Sequence, residues 1–202
     1  QTTDQPITII GHSLGGSVSL GYAGLYPDNV HKLVAIEGLG ASPKRRQAWA
    51  DLPLHERIGN WVDELRSSSG RVPRRYASLD EAFERMHKEN PHLTAEQARH
   101  LTIHGSNKNE DGTYSWKFDN YVRSFPPMRL TGAETDALHA RITCPTLLVR
   151  GMESWASDPV KDGRAQHFQN ARLVNIDKAG HWVHHDQLDE FCAHVDTFLA
   201  EA

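Results

Sequence analysis

One ten-residue stretch, Ile7-Thr8-Ile9-Ile10-Gly11-His12-Ser13-Leu14-Gly15-Gly16, limits what this chain can fold into more than any other. Its first four residues are a short apolar run of the kind that forms a buried strand. Gly11 to Gly16 is glycine-rich and reads as a turn. From Ser17 to Tyr26, small and apolar residues recur at helical spacing, and Pro27-Asp28 stops them. A second apolar run, Lys32-Leu33-Val34-Ala35-Ile36, ends at Glu37-Gly38. Two strands joined by one helix make a parallel βαβ unit.

The remaining chain has two textures. From about Ala41 to His139 it is polar, charged and mostly helical. Ser78-Leu79-Asp80-Glu81 and Thr94-Ala95-Glu96-Gln97 carry capping-box spacing, which opens helices. Asn90-Pro91 separates the two, and Asp111-Gly112 reads as a turn into the extended piece Tyr114 to Phe118. Strand character returns at Pro145-Thr146-Leu147-Leu148-Val149 and again at Arg172-Leu173-Val174-Asn175-Ile176. A helix is expected between them, from Pro159 to Gln169, and a last one from Gln187 to Leu199, with Phe191, Val195, Phe198 and Leu199 on its apolar face. The expected class is α/β. Residues 1–40 and 140–202 form a parallel sheet with flanking helices, and residues 41–139 form a helical cap or lid insertion. In such sheets the loops at the carboxyl ends of the strands carry the site.

Composition narrows the partners. The net charge of -4 offers no basic footprint for nucleic acid or an anionic membrane, and no apolar stretch reaches the length of a membrane span. Two cysteines, Cys144 and Cys192, are too few for a disulfide scaffold and are expected as buried free thiols. With no targeting segment visible, the default location is cytoplasmic.

The chemistry centres on Gly11-His12-Ser13-Leu14-Gly15, which fits G-x-S-x-G in the strand–turn–helix context that pattern requires. A serine on so tight a turn is held in strained backbone geometry, and the glycines two residues to either side avoid a clash. The helix that follows points its free N–H groups and its dipole at the serine, where a developing oxyanion would lie. A base must take the serine proton, and His181 stands after the fourth strand and before the final helix. His12 is read as shaping the turn. His184 and His185 are read as solvated or packing groups, since no partner at ligand spacing makes them a metal site. The acid that orients the histidine is open between Glu37, at the end of the second strand, and Glu153, just past the third. Asp158 is a more distant option.

The elbow Gly11 to Gly16, Gly180-His181-Trp182, Ile36-Glu37-Gly38-Leu39-Gly40 and Asp111 to Trp116 together resemble the α/β-hydrolase superfamily, in its branch of capped bacterial serine hydrolases. The resemblance covers essentially the whole chain. It implies Ser13 as nucleophile, His181 as base and the Leu14 N–H as half of an oxyanion hole. Most relatives place an Asp where this chain has Ser154, one residue after Glu153. Some, including several haloalkane dehalogenases, use a Glu at the place of Glu37, which favours Glu37. A serine nucleophile sets the chain apart from the dehalogenases, epoxide hydrolases and luciferases of this fold, which use Asp. Relatives also carry earlier strands with an apolar-His-Gly run that supplies a second oxyanion N–H. This chain starts at the elbow strand, so it is expected to be part of a longer protein, with the edge of that strand unpaired.

The expected activity is that of a serine hydrolase that cleaves an ester or related acyl bond of a small molecule through an acyl-enzyme, with no cofactor and no metal. The alternatives are a ligand-binding pseudo-hydrolase or an inactive portion of a longer hydrolase. The sequence leaves the oligomeric state open. Trp49, Trp61, Trp116, Trp155 and Trp182 could line an apolar pocket or simply pack. The basic runs Lys44-Arg45-Arg46 and Arg71 to Arg75 read most simply as solvated faces.

Overall fold

The structure, a computed structural model, describes residues 5–69, 73–119, 124 and 126–201. Residues 1–4 of the lead-in and Arg71 of the second basic run lie outside the described residues. In chain order the elements are β1 (Ile7–His12), α1 (Leu14–Leu25), β2 (Val30–Ile36), α2 (Pro43–Ala50), α3 (Leu54–Ser69), α4 (Leu79–Glu89) and α5 (Ala95–Gly105). Then follow β3 (Ser106–Lys108), β4 (Tyr114–Trp116), α6 (Gly132–His139), β5 (Thr146–Gly151), β6 (Ala171–Ile176), α7 (Val183–Asp186) and α8 (Leu188–Ala200). Contacts divide the chain into two compact units, residues 1–51 with 130–202, and residues 52–129.

The first unit is an α/β sheet. Its four strands run parallel in the order β1-β2-β5-β6. The period of two along each strand sorts their side chains onto two faces. Val34, Ile36, Leu147 and Val149 join Ile176, Val183, Val195 and Phe198 in one apolar cluster. Leu33, Ala35 and Leu148 join Leu20, Ala23, Val30 and Ile142 in the other. The central strands are therefore apolar on both faces, and their sequences read as continuous runs. Lys32 is a departure from that rule. Its ammonium is buried, and it donates to the carbonyls of Phe198 (3.1 Å), Leu199 (2.9 Å) and Glu201 at the carboxyl end of α8. A cation there meets both the unpaired carbonyls and the negative end of the helix dipole.

The second unit holds α3, α4, α5 and the antiparallel pair β3–β4. Phe83, Leu93 and Ala98 form its apolar cluster. Thr94 and Gln97 complete a reciprocal capping box at α5. At α4 the Ser78 hydroxyl accepts from the Glu81 N–H, but the Glu81 carboxylate accepts from Ala77. Asp111 folds back onto Thr113 in the turn, and the Trp116 indole donates to Tyr76 at 3.1 Å.

Five local expectations change. The strand expected as buried, β1, leaves Ile7 and Ile10 exposed, at 40% and 52%. The helix expected from Ser17 begins at Leu14, inside the glycine-rich segment. Helices α2 and α6 group with the sheet, where Arg46 faces Asp136 at 3.7 Å, so Arg46 is not on a solvated face. The helix expected over Pro159 to Gln169 is instead a series of turns and a short 3-10 segment, Arg164–His167. Gly163 there takes a left-handed φ of 85°, and the buried Arg164 guanidinium donates to Asp162, Ser157, Leu39 and Gly40. Those bonds compete with helical pairing. Cys144 is buried and Cys192 is exposed, both with free thiols. Among the described residues, no helix is long and apolar enough to cross a membrane.

Helix α1 lies against the end of β2 through two glycines. A Cβ on Gly38 would stand 2.6 Å from the Gly16 Cα, and one on Gly16 would stand 2.7 Å from the Gly38 Cα. Neither backbone can yield without moving the elbow. Gly38→Ala is therefore expected to destabilise the protein by about 1–3 kcal/mol, the range for overpacking. The effect should appear as a lower urea midpoint at unchanged slope. An unchanged midpoint would show that the helix can shift freely.

Candidate active site

The site lies where β1, β2, β5 and β6 end. Ser13 closes β1 and caps α1 with φ 54° and ψ -115°, a conformation that costs a non-glycine residue about 1–3 kcal/mol. Two backbone bonds hold it: the Ser13 N–H donates to Ile36 O at 2.8 Å, and Ser13 O accepts from Ser17 N at 3.1 Å. Gly11 is required, because a Cβ there would stand 2.6 Å from Gly15 O. Gly15 is not. A Cβ on it meets nothing within 4 Å, since it faces outward from α1, so the expected clash at that position is absent. The close approach falls one residue later, on Gly16. As the first residue of α1, Leu14 has an N–H with no acceptor inside the helix.

His181 follows β6 and joins this turn to the end of β2. Its Nε2 lies 2.9 Å from Ser13 Oγ, and its Nδ1 lies 3.3 Å from Glu37 Oε2. An ionised carboxylate can only accept, so this pairing assigns the proton to Nδ1 and leaves Nε2 to accept the serine hydroxyl. The Glu37 side chain is 1% exposed. Besides His181 it accepts from the Gly151 N–H at 2.9 Å on Oε1 and from the Ser154 hydroxyl at 2.7 Å on Oε2. Glu37 has a φ of 50°, in the left-handed region. The Glu37 N–H donates to Val149 O at 2.9 Å, which ties the residue to β5.

Of the acids weighed from sequence, the structure brings Glu37 to His181. Glu153 is exposed, and its N–H donates to Ala179 O at 2.9 Å. Asp158 accepts from the Val160 N–H at 3.0 Å. The Ser154 hydroxyl serves the Glu37 carboxylate. Neither that bond nor the one from Gly151 was legible in the sequence. The loops after β5 and β6 meet closely enough that a Cβ on Gly151 would stand 2.2 Å from Gly180 O. Gly180 in turn donates to Asp186 at 2.8 Å.

His12, His184 and His185 form a packed group beside His181. His12 Nε2 bonds to His181 O at 2.8 Å, so His12 grips the loop of the candidate base as well as flanking the turn. The His184 ring meets His12 edge-on at 4.7 Å and lies 6.4 Å from Trp182. Burial pushes the His12 pKa down. Burial, and then the neighbouring His185, push that of His184 down to about 4. Among the described residues, no group of three or more His, Cys, Asp or Glu is placed to hold a metal ion.

The chain is similar to known proteins. The family model of the alpha/beta hydrolase fold matches residues 1–188. Esterase Rv0045c of Mycobacterium tuberculosis is 30% identical over 183 residues, covering 89% of this chain and 56% of that protein. The sn-1-specific diacylglycerol lipase ABHD11 of Mus musculus is 22% identical over 206 residues, covering 96% of this chain and 59% of that protein. The crystal structure of the hypothetical protein PA1622 of Pseudomonas aeruginosa PAO1 aligns with a TM-score of 0.78 at 23% identity, over 98% of this chain and 68% of that one. This last likeness is one of fold. The chain spans a little over half the length of the curated relatives it matches.

The depressed histidines set a pH dependence of stability. His139, buried against Phe168, is like His184 pushed down to about 4, chiefly by burial. Both values lie below the ordinary 6.5, so the unfolded chain binds these protons more tightly. The stabilisation is fully present above about pH 6.5 and is lost as the pH falls towards about 4. Thermal melts across that window should show a falling Tm, and His139→Gln should flatten the fall. An identical fall in the variant would remove His139 from the account.

Proposed function

The chain belongs to the alpha/beta hydrolase fold family, and on that premise we propose that it is a serine hydrolase acting on an ester or related acyl bond of a small molecule. One observation carries the proposal: the hydrogen-bonded series Ser13–His181–Glu37, at 2.9 and 3.3 Å. A nucleophile bonded to a base, itself oriented by a third group, is the arrangement acyl transfer requires. The relatives named an esterase and a lipase support the same class.

The steps follow from the geometry. Ser13 Oγ attacks the carbonyl carbon while His181 Nε2 takes its proton. Glu37 holds the imidazole with Nδ1 protonated and faces the positive charge that forms on the ring. The Leu14 N–H, at the positive end of α1, stabilises the oxyanion. Collapse of the tetrahedral intermediate expels the leaving group, which takes the proton from His181. Water, deprotonated by His181, then attacks the acyl-enzyme, and as the acyl C–O bond breaks His181 returns that proton to Ser13 Oγ, releasing the acid. Every proton and bond in this cycle is accounted for without a cofactor.

A second reading draws on the chain's spanning 56% and 59% of the length of its curated relatives. In it, a longer protein supplies further groups and alone turns over substrate. A fluorophosphonate probe separates the two, since labelling needs an activated serine and no deacylation. On the first reading this chain is labelled, and Ser13→Ala is not. An unlabelled but folded chain supports the second.

The acid is tested in the labelled chain. Glu37→Gln should lower the labelling rate by about 10⁴, as loss of the orienting carboxylate does in serine proteases. Glu153→Gln should stay within about threefold of the parent, the usual scale of an exposed substitution. The reverse pattern would reassign the acid.

A further inference from the structure

Trp155 lies in the loop that follows β5, with its side chain 75% exposed. Its ring centroid is 5.0 Å from that of His181, with the planes inclined by 35°. An indole that open to solvent contributes little to a core, so burial does not account for where it stands. Its position beside the imidazole, with the two rings tilted, does have a chemical consequence. A tryptophan face attracts a cation within about 6 Å of its centroid and has little electrostatic pull on a neutral ring. The imidazole of a serine hydrolase is neutral before the attack and positive during it, so the attraction appears only as the reaction proceeds. Interactions of that kind raise the rate.

We infer that Trp155 acts through His181: its π face stabilises the imidazolium that forms when Ser13 gives up its proton, and its bulk fixes the plane of the ring. The inference rests on His181 being the base. Trp155 is thus a positioning residue. It complements Glu37, which meets the same charge at Nδ1.

The other titratable groups around His181 are identifiable. Glu37 comes from the end of β2, and His12 from β1, with its ring 4.9 Å away. His184, His185 and Asp186 come from α7, and Glu153 shares the loop of Trp155. Burial lowers the pKa of both His12 and His184, so neither adds a competing positive charge at neutral pH. Glu37 meets the ring at Nδ1, and Trp155 meets it from the loop after β5.

The test compares the wild-type chain with Trp155→Phe and Trp155→Leu in hydrolysis of 4-nitrophenyl acetate and 4-nitrophenyl butyrate across the acid limb of the pH–rate profile. Trp155→Leu should lower the plateau of kcat/KM by about two- to fivefold, the value of an exposed cation–π contact. It should also move the acid limb to lower pH by about half a unit, because the protonated base loses a stabilising partner. Trp155→Phe keeps an aromatic face and should fall between the two. Both losses should be the same for the two esters, and the Tm should not move. A plateau that falls with the limb unmoved, or a loss that differs between acetate and butyrate, overturns the inference and makes Trp155 a packing or substrate contact. A wild-type chain that neither hydrolyses these esters nor takes the fluorophosphonate label overturns the assignment of His181 as base, and this inference with it.

Discussion

A carboxylate removed from water is unstable unless hydrogen bonds or an opposite charge replace its hydration. Glu37 is such a carboxylate, and much of the site follows from meeting its needs. One oxygen accepts from the Gly151 backbone, and the other accepts from Ser154 and His181. The Gly151 N–H reaches it because β5 pairs with β2 in register, Val149 beside Ile36. Gly151 also leaves room for the loop after β6, whose Gly180 carbonyl occupies the space a side chain would take. That loop delivers His181. The buried charge therefore fixes the positions of two loops as well as the tautomer of the imidazole.

Ser13, the proposed nucleophile, is held by the same sheet. Ser13 and Glu37 both sit at positive φ, one at the end of β1 and the other just past β2. Each conformation is unfavourable alone, and each is bound across the sheet: the Ser13 N–H to Ile36 O, the Glu37 N–H to Val149 O. The contact of Gly16 with Gly38 locks α1 onto the end of β2, so the helix cannot relax the turn. The result is a serine whose hydroxyl meets His181 with little freedom to turn away. Such preorganisation is what a catalytic hydrogen bond requires.

The sheet was legible in the sequence because central parallel strands read as continuous apolar runs, as Leu33 to Ile36 and Thr146 to Val149 do. Ser13 and His181 were legible because each belongs to a local pattern with a defined place in the strand order. The acid was not separable by spacing alone, since Glu37 and Glu153 both stand near strand ends; which of them meets His181 depends on how the loops after β2, β5 and β6 converge. Ser154 and Gly151 were missed for the same reason. Trp155 could not be told from four other tryptophans before its ring was placed beside His181. The segment from Pro159 to Gln169 misled because Arg164 satisfies neighbouring carbonyls and carboxylates in ways no periodicity reveals. The capping box of Thr131 and Glu134 at α6 had a readable signal, a Thr followed three residues later by a Glu, and went unread.

The central claim is that Glu37 accepts the Nδ1 proton of His181. Proton NMR of the imidazole N–H region tests it most directly, because a ring N–H bonded to a buried carboxylate resonates far downfield and exchanges slowly. The account predicts one such resonance in the parent chain, absent in His181→Ala, lost or moved well upfield in Glu37→Gln, and retained in Glu153→Gln. A downfield resonance that survives Glu37→Gln and disappears in Glu153→Gln would contradict it.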